Sequence, residues 1–215
     1  MIKAVLFDLD GTIINSEEGI TKCVQYALSC FGIEEPDRKK LLYFIGPPLD
    51  PVFREKYGFD ADKAWQAVLK YRERFDKTGI FECELYEGVA DTIRKLKEAG
   101  CVIALASSKP ETACRRILEH FSLTPYFDEI VGSTLDGSIS TKQQVLEELG
   151  RRMEHMQITK DEMCLIGDTE YDVIGADQFG IRCVGVSYGF GKREQLERAG
   201  AVSYTHLRAH ETAAN

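Results

Sequence analysis

Five short runs of this chain are apolar almost without interruption: KAVLFD at 3–8, CVIALAS at 101–107, DEIVGS at 128–133, MCLIGD at 163–168 and IRCVGVS at 181–187. A strand with one face in water alternates apolar and polar residues. A continuously apolar strand is covered on both faces, as in a parallel sheet. The stretches between the runs have helical spacing. Val89, Ile93, Leu96 and Ala99 fall on one face, and Gly100 stands where a helix ends. Pro110 suits a first helical turn, with Ile117 and Leu118 on the buried side. Strand alternating with helix predicts an α/β fold with a doubly wound, Rossmann-like parallel sheet.

Between 15 and 84 the rhythm changes. Ile20, Cys23, Val24, Ala27, Leu28 and Phe31 repeat at helical spacing, as do Ala61, Ala64, Trp65, Val68, Leu69 and Phe75. Asp50-Pro51 and Asp60 read as helix starts, Gly58 and Gly79 as stops, and Trp65 and the other aromatics as core. The expectation is a core domain of residues 1–14 and 85–202 with a helical domain of residues 15–84 inserted after the first strand. Residues 203–215 (SYTHLRAHETAAN) read as a tail foreign to the domain or disordered, so His206 and His210 receive no role.

Hydrophobic residues make up 44% and charged residues 29%, enough for a buried core. The net charge of −8 excludes a nucleic-acid backbone as the main partner, because no basic excess exists to displace counterions. No apolar run approaches the roughly 20 residues of a membrane helix. Seven cysteines without a CxxC pair read as reduced core residues of a cytoplasmic protein, neither a disulfide framework nor a zinc site.

The acidic residues carry the chemistry. Asp8 and Asp10 follow the first apolar run, ahead of Gly11-Thr12; Asp168 follows another, and Asp172 lies four residues on. The carboxyl ends of parallel strands share one edge, where ligands bind, so Asp8 and Asp168 are expected to meet there. Carboxylates repel, and clustering them makes sense around a hard divalent cation; oxygen ligands without histidine point to Mg2+ over zinc. Ser107 ends a run and Lys142 lies after another, so both can face the same crevice and cradle a phosphoryl group. Lys109 competes with Lys142 for that place. Plainer readings stand beside these. Asp8 and Asp10 can be turn residues, Asp172 a cap of a helix over 172–179, Ser107 a strand-end hydroxyl and Lys142 a solvated helix start. GFGK at 189–192 is too short for a nucleotide loop.

DLDGT at 8–12 resembles the first motif of the haloacid dehalogenase-like hydrolases. LASS at 105–108 resembles their second, Lys142 their third and GDTEYD at 167–172 their fourth, in the family's order over residues 1–202. The segment 15–84 resembles the family's helical cap. The resemblance implies a phosphatase with Asp8 as nucleophile and Asp10 as general acid and base. It implies Ser107 on the phosphoryl oxygens and Lys142 neutralising charge. Mg2+ would be held by Asp8, the Asp10 carbonyl and Asp168, with Asp172 supporting the metal shell or orienting Lys142. Substrate contacts would fall on Leu9, Gly11, Thr12 and Ser108, and on Gly46 of the cap. One departure is Gln143, where the family often has proline after the lysine.

FIGPPLDPVF at 44–53 and SSKP at 107–110 resemble phosphoglycolate phosphatase-like and 5′-nucleotidase-like members. The expected substrate is therefore a small phosphomonoester, phosphoglycolate or a nucleoside 5′-monophosphate, beneath an insert that opens and closes as a lid. The alternatives are a phosphosugar mutase of the same cap type, a phosphonate hydrolase using Lys22, and a non-turnover phospho-acceptor protein.

Overall fold

The computed structural model describes residues 1–201 and the backbone of 203–205. The chain divides into two compact units, one of Asn15–Glu84 and one of Met1–Ile14 with everything from Leu85 onward. The first strand, β1 (Ala4–Phe7), is buried at every residue. The crossings between units run through β2 (Ile14–Asn15) and β3 (Glu84–Leu85), which pair with each other.

The unit between the crossings is helical: α1 (Glu17–Ser29), α2 (Leu49–Tyr57) and α3 (Ala61–Phe75). Asp60 caps α3 by accepting from Lys63 N at 2.8 Å, and Gly58 ends α2 in the left-handed region. α3 stops at Phe75, ahead of the expected stop at Gly79, which instead opens a 3-10 turn, Gly79–Phe81. The buried stripe of α3 is Ala64, Ala67, Val68, Tyr71 and Phe75. Trp65 and Leu69 lie one position round from it and stay 47% exposed, so Trp65 is not core as expected. The aromatic core here is Phe44, Phe53 and Phe59, with Phe44 and Phe53 ring centroids 4.7 Å apart.

The other unit follows the alternating pattern. After β3 come α4 (Val89–Glu98), β4 (Val102–Pro110), α5 (Glu111–His120), β5 (Glu129–Ser133), α6 (Lys142–Met153) and β6 (Met163–Gly167). α7 (Glu170–Phe179), β7 (Arg182–Val186), α8 (Arg193–Ala199) and β8 (Ser203–Thr205) complete it. The strands order as β5-β4-β1-β6-β7-β8, with every pair parallel. Helices cover both faces. Val145, Leu146 and Leu149 of α6 and Val173 and Ala176 of α7 pack with Leu6, Ala104 and Leu165. α4 and α5 lie against β4, and α5 also against β5. Each fully buried Leu or Val is worth roughly 1.5–3 kcal/mol, which explains the unbroken apolar runs.

This topology fixes the site. β1 is central, and after β5 the chain returns across it to β6, so the strand order reverses at β1. That reversal leaves a crevice outside the carboxyl ends of the strands. Phe7 pairs with both Leu105 and Ile166, which puts Asp8 level with the ends of β4 and β6.

Two expectations change here. Ser203–Thr205 pair with Val184–Val186 of β7 as an edge strand, although the sequence reading began the tail at 203. Residues 206–215 of that tail, His206 and His210 among them, lie outside the described residues. None of the seven cysteines is disulfide-bonded, but only Cys23, Cys114 and Cys183 are buried; Cys83, Cys101 and Cys164 are half-buried and Cys30 is exposed. Among the described residues no helix is long and apolar enough to cross a membrane.

Candidate active site

Asp8 leaves β1 with its N–H donating to Ile166 O at 2.9 Å, so the neighbouring strand sets its backbone. The chain then turns back, with Leu9 O accepting from Ile13 N and Ile14 N at 2.9 and 3.0 Å. Leu9 itself is fully buried, which leaves only its main chain for the crevice. Gly11 has φ +84°, and a Cβ there would run into the Asp168 carboxyl. Only glycine combines that conformation with that approach.

Asp168 follows β6 and is wholly buried. Its Oδ2 accepts from Phe190 N at 2.7 Å, and Thr12 Oγ1 lies 3.4 Å from its Oδ1. Asp172 sits on the first turn of α7, where its Oδ2 accepts from Thr169 N and Oγ1 at 3.0 and 2.8 Å. It is therefore the third-residue partner in the capping box of Thr169, and not itself the cap of a helix over 172–179, because α7 begins at Glu170. Its other oxygen lies 2.8 Å from Lys142 Nζ as an ion pair, so it also faces the site.

Lys142 opens α6 behind the capping box of Thr141 and Gln144. It is not a solvated helix-start lysine: its side chain is 5% exposed. Nζ donates to Asp8 Oδ1 and to Ala106 O, each at 2.7 Å. Gly175 of α7 makes room for its stem, since a Cβ there would stand 2.6 Å from Lys142 Cγ.

Lys109, the competitor, is at the site too but on a different partner. Its Nζ donates to both oxygens of Asp10, at 2.9 and 2.7 Å. Ser107 is buried and its Oγ accepts from Lys109 N at 3.3 Å; Ser108 is half-buried beside it. Gly46 belongs to the helical unit, at φ +104° between a 3-10 helix, Arg38–Phe44, and α2, next to the buried Ile45.

The carboxylates of Asp8, Asp168 and Asp172 place ligand oxygens within 4.8 Å of one another. Burial pushes the Asp8 carboxyl up to about 6, with repulsion from Asp172 and Asp10 working against the pull of Lys142. Asp168 is raised well above the usual range by burial, then by Asp172 and Asp8. Burial alone would lower Lys142, but Asp172 and Asp8 overcome it and hold the ammonium charged. Lys142 pairs with two of the three carboxylates, Asp8 and Asp172, so negative charge in the cluster is in excess. An all-oxygen, dry, electron-rich cluster is what a hard cation fits, and the three residues could hold a metal ion.

Three contacts escaped the sequence reading. GFGK places Phe190 N on Asp168, while the neighbouring Tyr188 hydroxyl donates to Thr12 O at 3.0 Å. The only sequence signal was glycine at 189 and 191, where a Cβ would strike Asp168. The Lys109–Asp10 pair spans 99 residues and leaves no local signal.

The family described as haloacid dehalogenase-like hydrolase matches residues 5–186. This chain belongs to it. The hydrolase is 41% identical to the 5′-nucleotidase of Pseudomonas aeruginosa over 192 residues, 89% of this chain and 86% of that one. It is 31% identical to the tyrosine-protein kinase PtkA of Mycobacterium tuberculosis, over 94% of this chain and 68% of that protein. A predicted phosphatase from Clostridium acetobutylicum superposes with a TM-score of 0.88 at 45% identity, covering 95% of this chain and 94% of its own. The family and its phosphatase relatives are consistent with a phosphoric monoester hydrolase.

Proposed function

We propose that this hydrolase is a Mg2+-dependent phosphatase that releases phosphate from a small phosphomonoester through an aspartyl phosphate on Asp8. The observation that most supports it is the setting of Asp8, a buried carboxylate at the end of the central strand with Lys142 2.7 Å from one oxygen. A carboxylate approaches a phosphate poorly because like charges repel. A buried ammonium beside both offsets that repulsion where water does not screen it.

In this reading an Asp8 oxygen attacks phosphorus while the ester P–O bond breaks, and Asp10 gives its proton to the departing oxygen. Water then attacks the same phosphorus and Asp10 takes its proton. The bond to Asp8 breaks, inorganic phosphate leaves and the carboxylate is restored. The Ser107 hydroxyl, with Leu9, Gly11, Thr12 and Ser108, would hold the phosphoryl oxygens. Asp8, the Asp10 carbonyl and Asp168 would hold Mg2+, and Asp172 would act through Lys142, which already occupies one of its oxygens. Bound there, Mg2+ supplies a hard positive charge that neutralises the cluster and polarises a phosphoryl oxygen.

Between phosphoglycolate and a nucleoside 5′-monophosphate, the 41% identical relative named 5′-nucleotidase favours the nucleotide. Lys22 counts against a phosphonate hydrolase: it is bonded to Glu18 at 2.6 Å and Glu82 at 3.1 Å, and those bonds raise its pKa. A Schiff-base lysine needs the opposite shift. Cysteines without a disulfide among them suit a reducing, cytoplasmic setting.

The test is phosphate release over nucleoside 5′-monophosphates, phosphoglycolate and hexose phosphates, each with Mg2+ and with chelator. Mg2+-dependent release from a nucleotide supports the proposal. Turnover only of a hexose phosphate with a bisphosphate activator would point to the mutase, and no release from any ester would refute a phosphatase.

A further inference from the structure

The Lys109–Asp10 pair has a feature that a surface ion pair lacks. Both side chains are nearly buried, 7% and 12% exposed, and the contact engages both carboxylate oxygens. A lysine loses its hydration at considerable cost, so one withdrawn to this extent is held by its partner.

The backbone is built to deliver it. β4 runs in register with β5 as far as Ala106 opposite Val131, and pairing resumes at Pro110 opposite Ser133. Four residues advance on β4 where two advance on β5, so the segment carrying Ser107, Ser108 and Lys109 bulges out of the ladder. Such bulges re-aim side chains at the rims of sites. β5 meets this bulge at Gly132, where a Cβ would stand 2.5 Å from Lys109 O. Lys109 N donates to Ser107 Oγ and Lys109 O accepts from Cys114 Sγ at 3.5 Å, so the bulge is tied at both polar ends.

We infer that Lys109 is a positioning residue for the general acid: it fixes the plane and direction of the Asp10 carboxyl, and so acts on the leaving group and not on the phosphoryl group. This rests on the proposed role of Asp10. A proton donor is effective only when aimed within hydrogen-bond reach of the departing oxygen, and a free aspartate has rotamers that point elsewhere. Lys142 and Lys109 then divide the work, one ammonium for the nucleophile and one for the acid.

The experiment compares kcat/KM for a nucleoside 5′-monophosphate, whose alkoxide must be protonated as it leaves, with p-nitrophenyl phosphate, whose phenolate leaves unaided. kcat/KM reports the step that forms the phosphoenzyme. Lys109→Met should lower it about 10–100-fold for the nucleotide and less than about threefold for the aryl ester, part of the 10²–10⁴-fold a general acid provides. Added to Asp10→Asn, Lys109→Met should cost nothing further, because the residue it positions is already gone. Should the methionine variant fail to fold, Lys109→Gln with its melting temperature serves the same comparison. Equal losses on both esters, with weaker inhibition by inorganic phosphate, would show that Lys109 holds the phosphoryl group and overturn the inference. A full further loss on the Asp10→Asn background would overturn it as well. A wild-type protein inactive on both esters would remove the phosphatase reading itself, an outcome visible before any variant is made.

Discussion

Lys142 reaches Asp8 across 134 residues of sequence and holds its Oδ1 at 2.7 Å, while Asp172 holds Lys142 from the other side at 2.8 Å. The lysine thus lies as a cation between two buried carboxylates. Lys142→Met should lower turnover by about 10²-fold or more, as loss of a preorganised charge does. It should also destabilise the metal-free protein by about 3–5 kcal/mol, because buried charges lose their partner. Thermal unfolding with phosphate release checks both. A variant as stable and as active as wild type would contradict this account of the cluster.

Gly175 gives a subtler handle on the same lysine. In an unconstrained helix Gly→Ala gains about 1 kcal/mol. Here the new methyl would meet Lys142 Cβ at 2.7 Å and Cγ at 2.6 Å, the stem near its root and not its flexible end. Gly175→Ala should therefore displace the ammonium and cut kcat severalfold or more while the fold persists. An alanine variant with higher stability and unchanged kcat would show the lysine stem free to move aside.

The metal claim is testable without catalysis. A cation held by Asp8 and Asp168 would relieve the repulsion in the cluster and bind the folded state alone. Mg2+ at 100 times its Kd should add about 2.7 kcal/mol of stability, read as a rise in melting temperature. Chelator should reverse the rise and abolish turnover, with Zn2+ restoring less activity than Mg2+. Asp168→Ala should remove most of the melting shift. An undiminished shift in that variant would put the metal elsewhere.

The two layers of this molecule differ in how far they can be read from sequence. The strands were legible because burial on both faces leaves an unbroken apolar signature, as in AVLF of β1. Asp8 and Asp168 were legible as neighbours because parallel strands end on one edge, whereas Lys142 and Lys109 stood as competitors for one place and the fold gives each its own carboxylate. The bulge that re-aims Lys109 was not, since it arises from a register slip against β5 that has no local pattern. The hold of Phe190 N on Asp168 was hidden for the same reason: a backbone donor carries no side-chain identity. Trp65 misled because a helical stripe is wide, and its two edges look alike until the packing partner is known.

The central claim is that Asp8 becomes phosphorylated. Mixing the enzyme with substrate and Mg2+, quenching in acid within a turnover and mapping the modified peptide tests it directly. The account predicts one phosphoryl group on Asp8 and none in Asp8→Asn, which should have no turnover because an amide forms no acyl phosphate. A phosphoryl group on any other residue, or continued turnover by Asp8→Asn, would contradict it.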